Sequence, residues 1–331
     1  MKKLFAIPFL TVALLLTACG STPESTEPTD TTSESEEKPQ LNIGYVSILA
    51  NAPGIVADQE GFFAEELNVN TYAFNSGPEL YQALAAGELD VAYAGVPALV
   101  NWASRGLPVK VISKVNDGKI GVVVAEDSGI TSVKQLEGEV LAGVQSGSGV
   151  DIITKGIILP KAGLLAEDVT IQEFNQANIE AALDSNQAKA GFLNEPFLTY
   201  ALLRGKQQIA EENDPALVIV ASEEALANKS EAVQTFMNIH QSTIDYLNED
   251  PENANQVLVE VFNIGAIEGV AAEDVIAQAK EKLSFDWQFT SDDFTYYQEL
   301  ADAAYELGYV NQEIDVESLF DLTFVEGVIK E

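Results

Sequence analysis

Two short segments of the chain carry groups that could bind a small ligand through hydrogen bonds. Residues 145–149 read QSGSG and directly precede a predicted helix, so their hydroxyls and backbone N–H groups could hold a carbonyl or an oxyanion. No Gly-Lys-Ser or Gly-Lys-Thr follows, so the segment is not a P-loop. The alternative to ligand binding is that residues 145–149 form a simple capped turn. Glu195, between Asn194 and Pro196, could pair with an amine or a ring N–H, or else be an exposed surface acid.

The same reasoning selects further loops, because ligands of open α/β sheets bind beyond the carboxyl ends of the strands. These loops are residues 47–54, 75–78, 95–98, 145–149 and 194–196. None of them contains Lys or Arg, whereas an inorganic anion such as nitrate would normally need a cation or many backbone donors. We therefore expect a ligand that is neutral, zwitterionic or amine-bearing. The predicted ligand-binding residues are Asn51, Ala52, Pro53, Ser76, Gly77, Gly95, Val96, Pro97, Gln145, Ser146, Gly147, Ser148, Asn194 and Glu195.

Catalytic chemistry has little support in the sequence. The only histidine is His240, within an amphipathic stretch at residues 229–249, and the only cysteine is Cys19. No Ser-His-Asp set, metal-spaced cluster or pair of carboxylates stands out, and a single cysteine excludes an intramolecular disulfide. We expect a binding protein rather than an enzyme, with no cofactor and no metal site.

The N-terminus is typical of a lipoprotein signal peptide. Lys2 and Lys3 precede an apolar run at residues 4–16 that is too short to span a bilayer as a mature helix. The run ends in Leu-Thr-Ala-Cys-Gly, a lipobox-like pattern in which Cys19 would be lipidated after removal of residues 1–18. A plain secretory signal with an incidental cysteine is the alternative.

Residues 19–40 hold Cys19 and a segment rich in Ser, Thr, Pro and Glu, which predicts a disordered acidic tether. A lipid would then anchor the protein to the membrane without a spanning helix. We expect it on the extracellular face of the cytoplasmic membrane, and the long tether favours a Gram-positive cell surface. The formal net charge of −35 argues against nucleic acid as a partner, and we expect a monomer.

An internal repeat, residues 74–97 and 174–196, indicates the architecture. In the first copy Ser76 is expected to cap a helix that Gly87 ends in the left-handed conformation, and this capping role is an alternative to ligand contact. Asn186 takes the place of Gly87 in the second copy. Each copy reads as turn, helix and strand, and its final Pro is expected to end the strand and begin a loop.

A strand precedes each copy, and strand–helix–strand units of this length favour right-handed parallel crossovers. We therefore predict an α/β fold of two similar lobes, each a mostly parallel sheet flanked by helices, hinged around a ligand cleft. Strand-like segments at 120–126 and 217–222 would carry the chain between the lobes. Lobe one is predicted at residues 41–125 and 221–331, and lobe two at 126–220. Helical patterns in the last third cover residues 229–249, 251–262, 271–283 and 291–307.

Four stretches of the chain resemble the substrate-binding proteins of ABC importers for sulfonates, taurine, nitrate and thiamine pyrimidine precursors. They are residues 44–63, 74–100, 129–149 and 190–202. The resemblance implies a type II periplasmic-binding-protein fold that closes on its ligand by hinge motion, and delivery of the ligand to a membrane permease driven by an ATPase. It also implies that residues 51–53, 76–77, 95–97, 146–148 and 195–196 line the cleft. The position before Glu195, often Trp in that family, is Asn194 here.

The resulting hypothesis is a lipid-anchored solute-binding protein that captures a small polar organic ligand for an ABC importer. The ligand would be an amine-bearing pyrimidine of the thiamine-precursor type, or an aminosulfonate or alkanesulfonate. One alternative is an enzyme of the same fold acting on a pyrimidine-like heterocycle, although pyrimidine-synthesising relatives use Cys and His residues that this chain lacks. The sequence is also compatible with a nitrate-type anion binder and with a sensor lipoprotein.

Overall fold

Two five-stranded sheets organise the computed structural model, which describes residues 38–214 and 217–329. The predicted signal peptide, Cys19 and nearly all of the predicted tether lie outside these residues. The strands are β1 (Gln40–Val46), β2 (Asn68–Phe74), β3 (Val91–Gly95), β4 (Val109–Lys114), β5 (Asn116–Asp117), β6 (Lys119–Val124), β7 (Val140–Gly143), β8 (Thr170–Glu173), β9 (Ala190–Leu193), β10 (Gln207–Asn213), β11 (Leu217–Ser222) and β12 (Ser284–Phe285).

Helices cover the faces of both sheets and form most of the last third of the chain. They are α1 (Ala52–Gln59), α2 (Phe62–Glu66), α3 (Gly77–Ala85), α4 (Val96–Ala103), α5 (Gly149–Ile153), α6 (Leu159–Lys161), α7 (Gln176–Asp184), α8 (Phe197–Leu203), α9 (Glu223–Asn228), α10 (Ser230–Glu249), α11 (Pro251–Phe262), α12 (Ala272–Lys280) and α13 (Ser291–Glu306). A π-helical turn, Thr154–Ile158, joins α5 to α6. Among the described residues, no helix combines the length and the apolar character that crossing a membrane requires.

The two sheets have equivalent strand orders. The first runs β2-β1-β3-β11-β4 and the second, read from its opposite edge, runs β8-β7-β9-β6-β10. In each sheet the first three strands are parallel and the last two are antiparallel to their neighbours. The predicted α/β fold of two similar lobes is therefore confirmed, with sheets that are mixed at one edge.

The two crossing strands belong to the sheets that they enter. β6 pairs antiparallel with β9, and β11 pairs antiparallel with β3. The predicted division had placed residues 120–125 in lobe one and 217–220 in lobe two, so sheet pairing moves each strand to the opposite lobe. The reason is that a strand forms its ladder with neighbours of one sheet, and the chain crosses before each of these strands begins. The lobe boundaries otherwise stay a prediction.

The repeat forms the predicted local structures. The Ser76 hydroxyl accepts the Glu79 N–H and so caps α3. Gly87 and Asn186 have positive φ angles of 74° and 56°, the left-handed conformation that ends a helix. Leu84 and Leu183, equivalent in the two copies, are both buried against their sheets. The two copies are thus corresponding units of the two sheets.

The expected loops after Pro97 and Pro196 are helices. α4 begins at Val96, and α8 begins directly after Pro196. Proline is well suited to the first turn of a helix, because the N–H that it lacks would have no partner there. The proline that was expected to end regular structure therefore starts it in both copies. Gly61, whose φ is 80°, separates α1 from α2.

The C-terminal helices extend the core of the first sheet. Phe236 and Met237 of α10, Val275 of α12 and Tyr297 of α13 are buried in one continuous cluster with the first sheet. α13 also places Leu300 in a buried cluster of the second sheet. Helix α13 therefore contributes side chains to the cores of both sheets.

Candidate ligand-binding cleft

A cavity of about 570 Å³ lies where the parallel strands of the two sheets end. Residues at or just after the carboxyl ends of β1, β2 and β3 line it from the first sheet, and those after β7, β8 and β9 line it from the second. This is the position at which open α/β sheets bind ligands, and the volume lies within the range of about 300–1,000 Å³ for small-molecule pockets. Its lining comprises Val46, Ser47, Ile48, Asn75, Ser76, Gly77, Glu79, Gly95, Pro97, Ala98, Val144, Gln145, Ser148, Gly149, Val150, Glu173, Phe174, Asn175, Gln176, Asn194, Phe197, Asp214, Leu217, Val261 and Phe262.

Half of the predicted site residues belong to this lining and half do not. Those in the lining are Ser76, Gly77, Gly95, Pro97, Gln145, Ser148 and Asn194. Those outside it are Asn51, Ala52, Pro53, Val96, Ser146, Gly147 and Glu195. Asn51, for example, is fully buried and its side-chain amide donates to the carbonyl of Val46 at 2.8 Å. Contact of any of these residues with a ligand stays a prediction.

Glu195 lies beside the cavity with its carboxylate buried. Oε2 accepts the backbone N–H of Thr199 and Oε1 accepts the Thr199 hydroxyl, both at 3.0 Å. Oε1 also lies 3.1 Å from Nζ of Lys282. Burial raises the pKa of Glu195, although Lys282 and Thr199 offset part of this effect. The amine partner of Glu195 in this structure is therefore a lysine of the chain itself.

Three backbone N–H groups of the QSGSG loop, those of Ser146, Gly147 and Ser148, donate to other groups of the protein. The Ser146 N–H donates to Oε1 of Glu173 at 2.8 Å, and the Gly147 N–H donates to Oδ2 of Asp151 at 2.9 Å. The Ser148 N–H donates to the carbonyl of Gln145 at 3.1 Å. These donors were expected to be available to an oxyanion, and in the structure they bind two carboxylates and a carbonyl.

Tyr309 holds the same loop from the C-terminal part of the chain. Its hydroxyl lies 2.9 Å from Oγ of Ser146, accepts a hydrogen bond from Nζ of Lys155 at 2.9 Å and donates to Asp151. Lys155 also forms a 2.6 Å ion pair with Asp151. Burial alone would lower the pKa of Lys155, but its contacts with Asp151 and Tyr309 outweigh burial and raise it. The loop is therefore fixed on its outer side.

Asn194 is held by a reciprocal amide pair. Its side-chain oxygen accepts from Nε2 of Gln176, and its backbone N–H donates to Oε1 of Gln176, both at 2.9 Å. Gln176 begins the helix after β8, and Asn194 follows β9. The pair joins the ends of two strands and gives the cavity wall a fixed pattern of polar groups.

Two hydrogen bonds join the sheets across the cleft. The Ser76 hydroxyl, after β2, donates to Oε1 of Gln145, after β7. The backbone N–H of Leu49, after β1, donates to the carbonyl of Glu195, after β9, at 3.1 Å. The loops of the two lobes are therefore in direct contact at the cleft.

All the ionisable side chains of the cavity lining are acidic. They are Glu79, Glu173 and Asp214, and no Lys, Arg or His belongs to the lining formed by the described residues. Three phenyl rings, those of Phe174, Phe197 and Phe262, complete the apolar part of the wall. The rings of Phe197 and Phe262 meet edge to face, with their centroids 6.3 Å apart.

Several lining residues were missed at the level of sequence, although a signal for some of them existed. Phe174 and Asn175 open the second repeat, and Glu173 ends the strand before it, so the carboxyl-end rule could have selected them. Asp214 and Phe262 gave no signal, because Asp214 follows β10, which was not predicted, and Phe262 is the last residue of α11. Phe197 lines the cavity, whereas Tyr45, Tyr93 and Phe192, which lie in strands, are buried in the cores.

His240 is buried in the core and does not line the cavity. Its Nε2 lies 3.3 Å from the carbonyl of Lys114 and its Nδ1 lies 3.2 Å from the hydroxyl of Tyr93. Since a carbonyl only accepts, Nε2 carries the proton and Nδ1 accepts from Tyr93. Burial lowers the pKa of His240 to about 4, so the ring is neutral at physiological pH. No group of three or more His, Cys, Asp or Glu side chains among residues 38–214 and 217–329 is arranged to hold a metal ion.

Comparison with known proteins places these features in a family. A family model described as NMT1/THI5 like matches residues 50–254. A protein of Bacillus subtilis (strain 168) named "Putative aliphatic sulfonates-binding protein" is 25 % identical over 339 residues, which cover 98 % of this chain and 96 % of the relative.

Solved structures of binding proteins share the fold. The alkanesulfonate-binding protein SsuA from Xanthomonas axonopodis pv. citri, bound to MOPS, superposes with a TM-score of 0.73 at 20 % identity, covering 87 % of this chain and 99 % of that one. The periplasmic nitrate-binding protein NrtA from Synechocystis PCC 6803 superposes with a TM-score of 0.67 at 16 % identity, covering 85 % of each chain. At these identities the similarity shows the fold and leaves the ligand of this chain open.

Proposed function

The chain belongs to the NMT1/THI5-like family, and we propose that it is an extracytoplasmic solute-binding protein that captures a small polar organic ligand and delivers it to an ABC importer. The observation that carries the proposal is the cavity of about 570 Å³ at the carboxyl ends of both sheets. Six parallel strands converge on it, and both lobes supply polar side chains to its wall. This arrangement suits capture of a ligand by closure of two lobes around it.

The contacts across the cleft support the closing motion. The Ser76–Gln145 and Leu49–Glu195 hydrogen bonds join loops of different sheets, so they exist only when the lobes are close together. A ligand that contacts both walls favours this arrangement over an open one, because binding shifts a population in proportion to its differential affinity.

The proposed ligand is an amine-bearing pyrimidine, or an aminosulfonate or alkanesulfonate. The relatives named for aliphatic sulfonates support the sulfonates. The carboxylates and amides of the cavity wall support a ligand that bears an amine. A nitrate-type anion has less support, because the described lining offers it no cation.

The proposed partners are a membrane permease and its ATPase. We further propose that a lipid on Cys19 anchors the protein to the outer face of the cytoplasmic membrane of a Gram-positive cell, where it works as a monomer without a cofactor. The lipobox-like sequence before Cys19 and the acidic tether after it support this localisation. The relatives named as binding proteins support a role in transport.

A thermal-shift screen tests the proposal directly. Pyrimidines, taurine, alkanesulfonates and nitrate are each titrated into the purified protein, and titration calorimetry follows up every compound that raises the melting temperature. A ligand specific to the folded state raises it in a saturable way. We expect one organic class to do so. A shift with nitrate alone would contradict an organic ligand, and no shift with any compound would count against the proposal as a whole.

A variant that narrows the cavity separates binding at this site from binding elsewhere. Gly95 lines the cavity, and a Cβ atom there would meet its nearest neighbours, Leu217 and Pro97, at 3.6 Å, an ordinary contact distance. Gly95→Trp is therefore expected to fold and to lose ligand binding by steric exclusion. Unchanged affinity in this variant would place the ligand outside the cavity.

A further inference from the structure

We infer that the ligand of the cleft is an organic cation, which Glu79 and Glu173 select by charge and the phenyl rings of the wall contact through their faces. The inference rests on the proposed function, since it concerns the ligand of the same cavity. It narrows the proposed range of ligands to those with a protonated amine or a comparable cationic group, and it excludes simple sulfonates.

The charge of the cavity wall is the first observation. Glu79 and Glu173 line the cavity from opposite lobes. Neither forms an ion pair with a Lys or Arg among the described residues, whose ion pairs all involve other acids. A cation between the two lobes would therefore be attracted from both sides, and an anion would be repelled from both sides.

The lysines around the cleft do not compensate for this charge. Lys282 pairs with Glu195, and Lys155 pairs with Asp151. Both carboxylates are almost completely buried, with side-chain exposures of 0 % and 2 %. Moving either lysine toward a bound anion would leave a buried charge without its partner, which is strongly unfavourable.

In the QSGSG loop, which is the loop most suited to an anion, the carboxylate of Glu173 already accepts a backbone N–H. Oε1 of Glu173 accepts the Ser146 N–H at 2.8 Å, so a protein carboxylate already takes the donor that a sulfonate or nitrate oxygen would use. Oε2 has no hydrogen-bond partner among residues 38–214 and 217–329. Glu173 is thus fixed by one oxygen and presents the other for a ligand N–H.

The aromatic rings supply the second kind of contact that suits an organic cation. The face of a phenyl ring carries negative potential and attracts a cation within about 6 Å of the ring centroid. Phe174 directly follows Glu173 and lines the same wall, and Phe197 and Phe262 meet edge to face beside it. Carboxylates together with ring faces favour an alkyl- or arylammonium group over a neutral or anionic one.

A matched series of probes tests the charge requirement. Benzylamine, benzyl alcohol and phenylmethanesulfonate carry one ring with a positive, neutral or negative substituent, and choline, taurine, butanesulfonate and aminopyrimidines extend the range. Each is titrated calorimetrically into the full-length protein at two NaCl concentrations. The Debye length is about 14 Å at the low concentration and about 4 Å at the high one. We expect the cations to bind at least about tenfold more tightly than the neutral analogue and to weaken at the higher salt concentration, since salt screens charges in an open cavity.

Variants of the two acids identify the selecting groups. Glu173→Gln and Glu79→Gln keep an oxygen that can accept the Ser146 or Asn75 N–H, so both are expected to fold, and each should weaken a cation by about tenfold. Glu173→Lys should lower the affinity for cations and raise the affinity for sulfonates. A purely structural role for Glu173 would not produce these opposite changes. Glu88→Gln, at an exposed acid outside the lining, is the control and should change neither.

The outcomes distinguish the two levels of the argument. Tighter binding of phenylmethanesulfonate or butanesulfonate than of any amine would overturn the cation inference and leave the solute-binding function intact. Equal cation affinity in Glu173→Gln, Glu79→Gln and Glu88→Gln would also overturn it. Absence of binding by every compound at both salt concentrations would count against the solute-binding function, and with it the inference that depends on it.

Discussion

Lys282 and Glu195 form a 3.1 Å ion pair between the region after α12 and the loop after β9. The carboxylate is fully buried, whereas the lysine side chain is 33 % exposed. The backbone carbonyl of Glu195 accepts the N–H of Leu49, which follows β1 of the first sheet. Glu195 is therefore held to the first lobe and its C-terminal helices by both its side chain and its backbone. This explains how a carboxylate beside the cleft can be structural rather than a ligand contact.

Lys282→Met should destabilise the protein by about 2–3 kcal/mol near neutral pH, because it leaves Glu195 as a buried carboxylate without its cation. Burial already raises the pKa of Glu195, and loss of Lys282 should raise it further. Between the unfolded pKa and the raised folded pKa, Glu195 is protonated in the folded state and ionised in the unfolded state. Stability therefore falls as pH rises through the folded pKa of Glu195. The loss should therefore be smaller in mild acid than in mild base, as measured by urea unfolding.

Lys134→Met is the matched control for this experiment. Lys134 pairs with Glu137 at 3.1 Å, but both side chains are more than half exposed, and exposed pairs contribute little. We expect almost no change in the free energy of unfolding at either pH. The structural role of the buried pair would be contradicted if Lys282→Met lowered the free energy of unfolding as little as Lys134→Met does. It would also be contradicted if the effect of Lys282→Met did not depend on pH.

The architecture could be predicted from sequence because the two lobes repeat the same local signals. Gly87 and Asn186 both end helices with positive φ, and the hydrophobic faces at Leu84 and Leu183 fall at equivalent positions. The strands whose pairing is non-local were harder to predict. β4 and β10 are edge strands at equivalent positions in the two sheets. Their local sequences do not indicate which sheet each strand joins.

The cavity could be predicted less well, because position along the chain does not determine where a side chain points. Ser76 and Gln145 follow parallel strands, and they do line the cavity. Glu195 also follows a strand, yet its carboxylate turns inward to Thr199 and Lys282. The partner lysine lies far along the chain, beyond α12, so no spacing rule could have revealed the pair.

Ser76→Ala should lower both stability and ligand affinity. The Ser76 hydroxyl caps α3 and donates to Gln145 across the cleft; loss of a cap costs about 1 kcal/mol. Loss of the hydrogen bond between the lobes should lower the affinity for the ligand found by screening by about three- to tenfold, as measured by calorimetry. Ser222→Ala removes an equivalent cap from α9, away from the cavity. If the two variants bind the ligand equally well, the contact between Ser76 and Gln145 does not contribute to closure.

His240 should make the protein less stable in mild acid. Burial lowers its pKa in the folded state to about 4, compared with an ordinary value of 6.5. The unfolded state binds more protons between these values, so this contribution to stability is complete above pH 6.5 and is lost as pH falls toward 4. The full effect amounts to about 3 kcal/mol.

The variant His240→Gln isolates this contribution from the carboxylates that titrate in the same range. Its free energy of unfolding should fall less steeply than that of the wild type as the pH is lowered from neutral into mild acid, so the difference between the two proteins should shrink. Urea unfolding at several pH values measures this difference. Parallel pH profiles would show that His240 titrates normally in the folded protein.

Tyr309→Phe should loosen the QSGSG loop without unfolding the protein. The variant removes the hydroxyl that contacts Ser146, Lys155 and Asp151, whereas the ion pair between Lys155 and Asp151 remains. We expect a loss of about 1 kcal/mol in the free energy of unfolding. Amide hydrogen exchange at Ser146 and Gly147 should accelerate several-fold, because local opening of the loop requires less free energy.

Ligand affinity should follow the same change, because Ser148 and Gly149 line the cavity directly after the loosened residues. A loop that must be ordered on binding lowers affinity, so we expect a loss of a few-fold by calorimetry. Tyr305→Phe, close to the end of α13 at a tyrosine that is 41 % exposed, should leave stability, exchange and affinity unchanged. Faster exchange at Ser146 with unaltered affinity would show that the loop is fixed by Tyr309 but is not part of the binding surface.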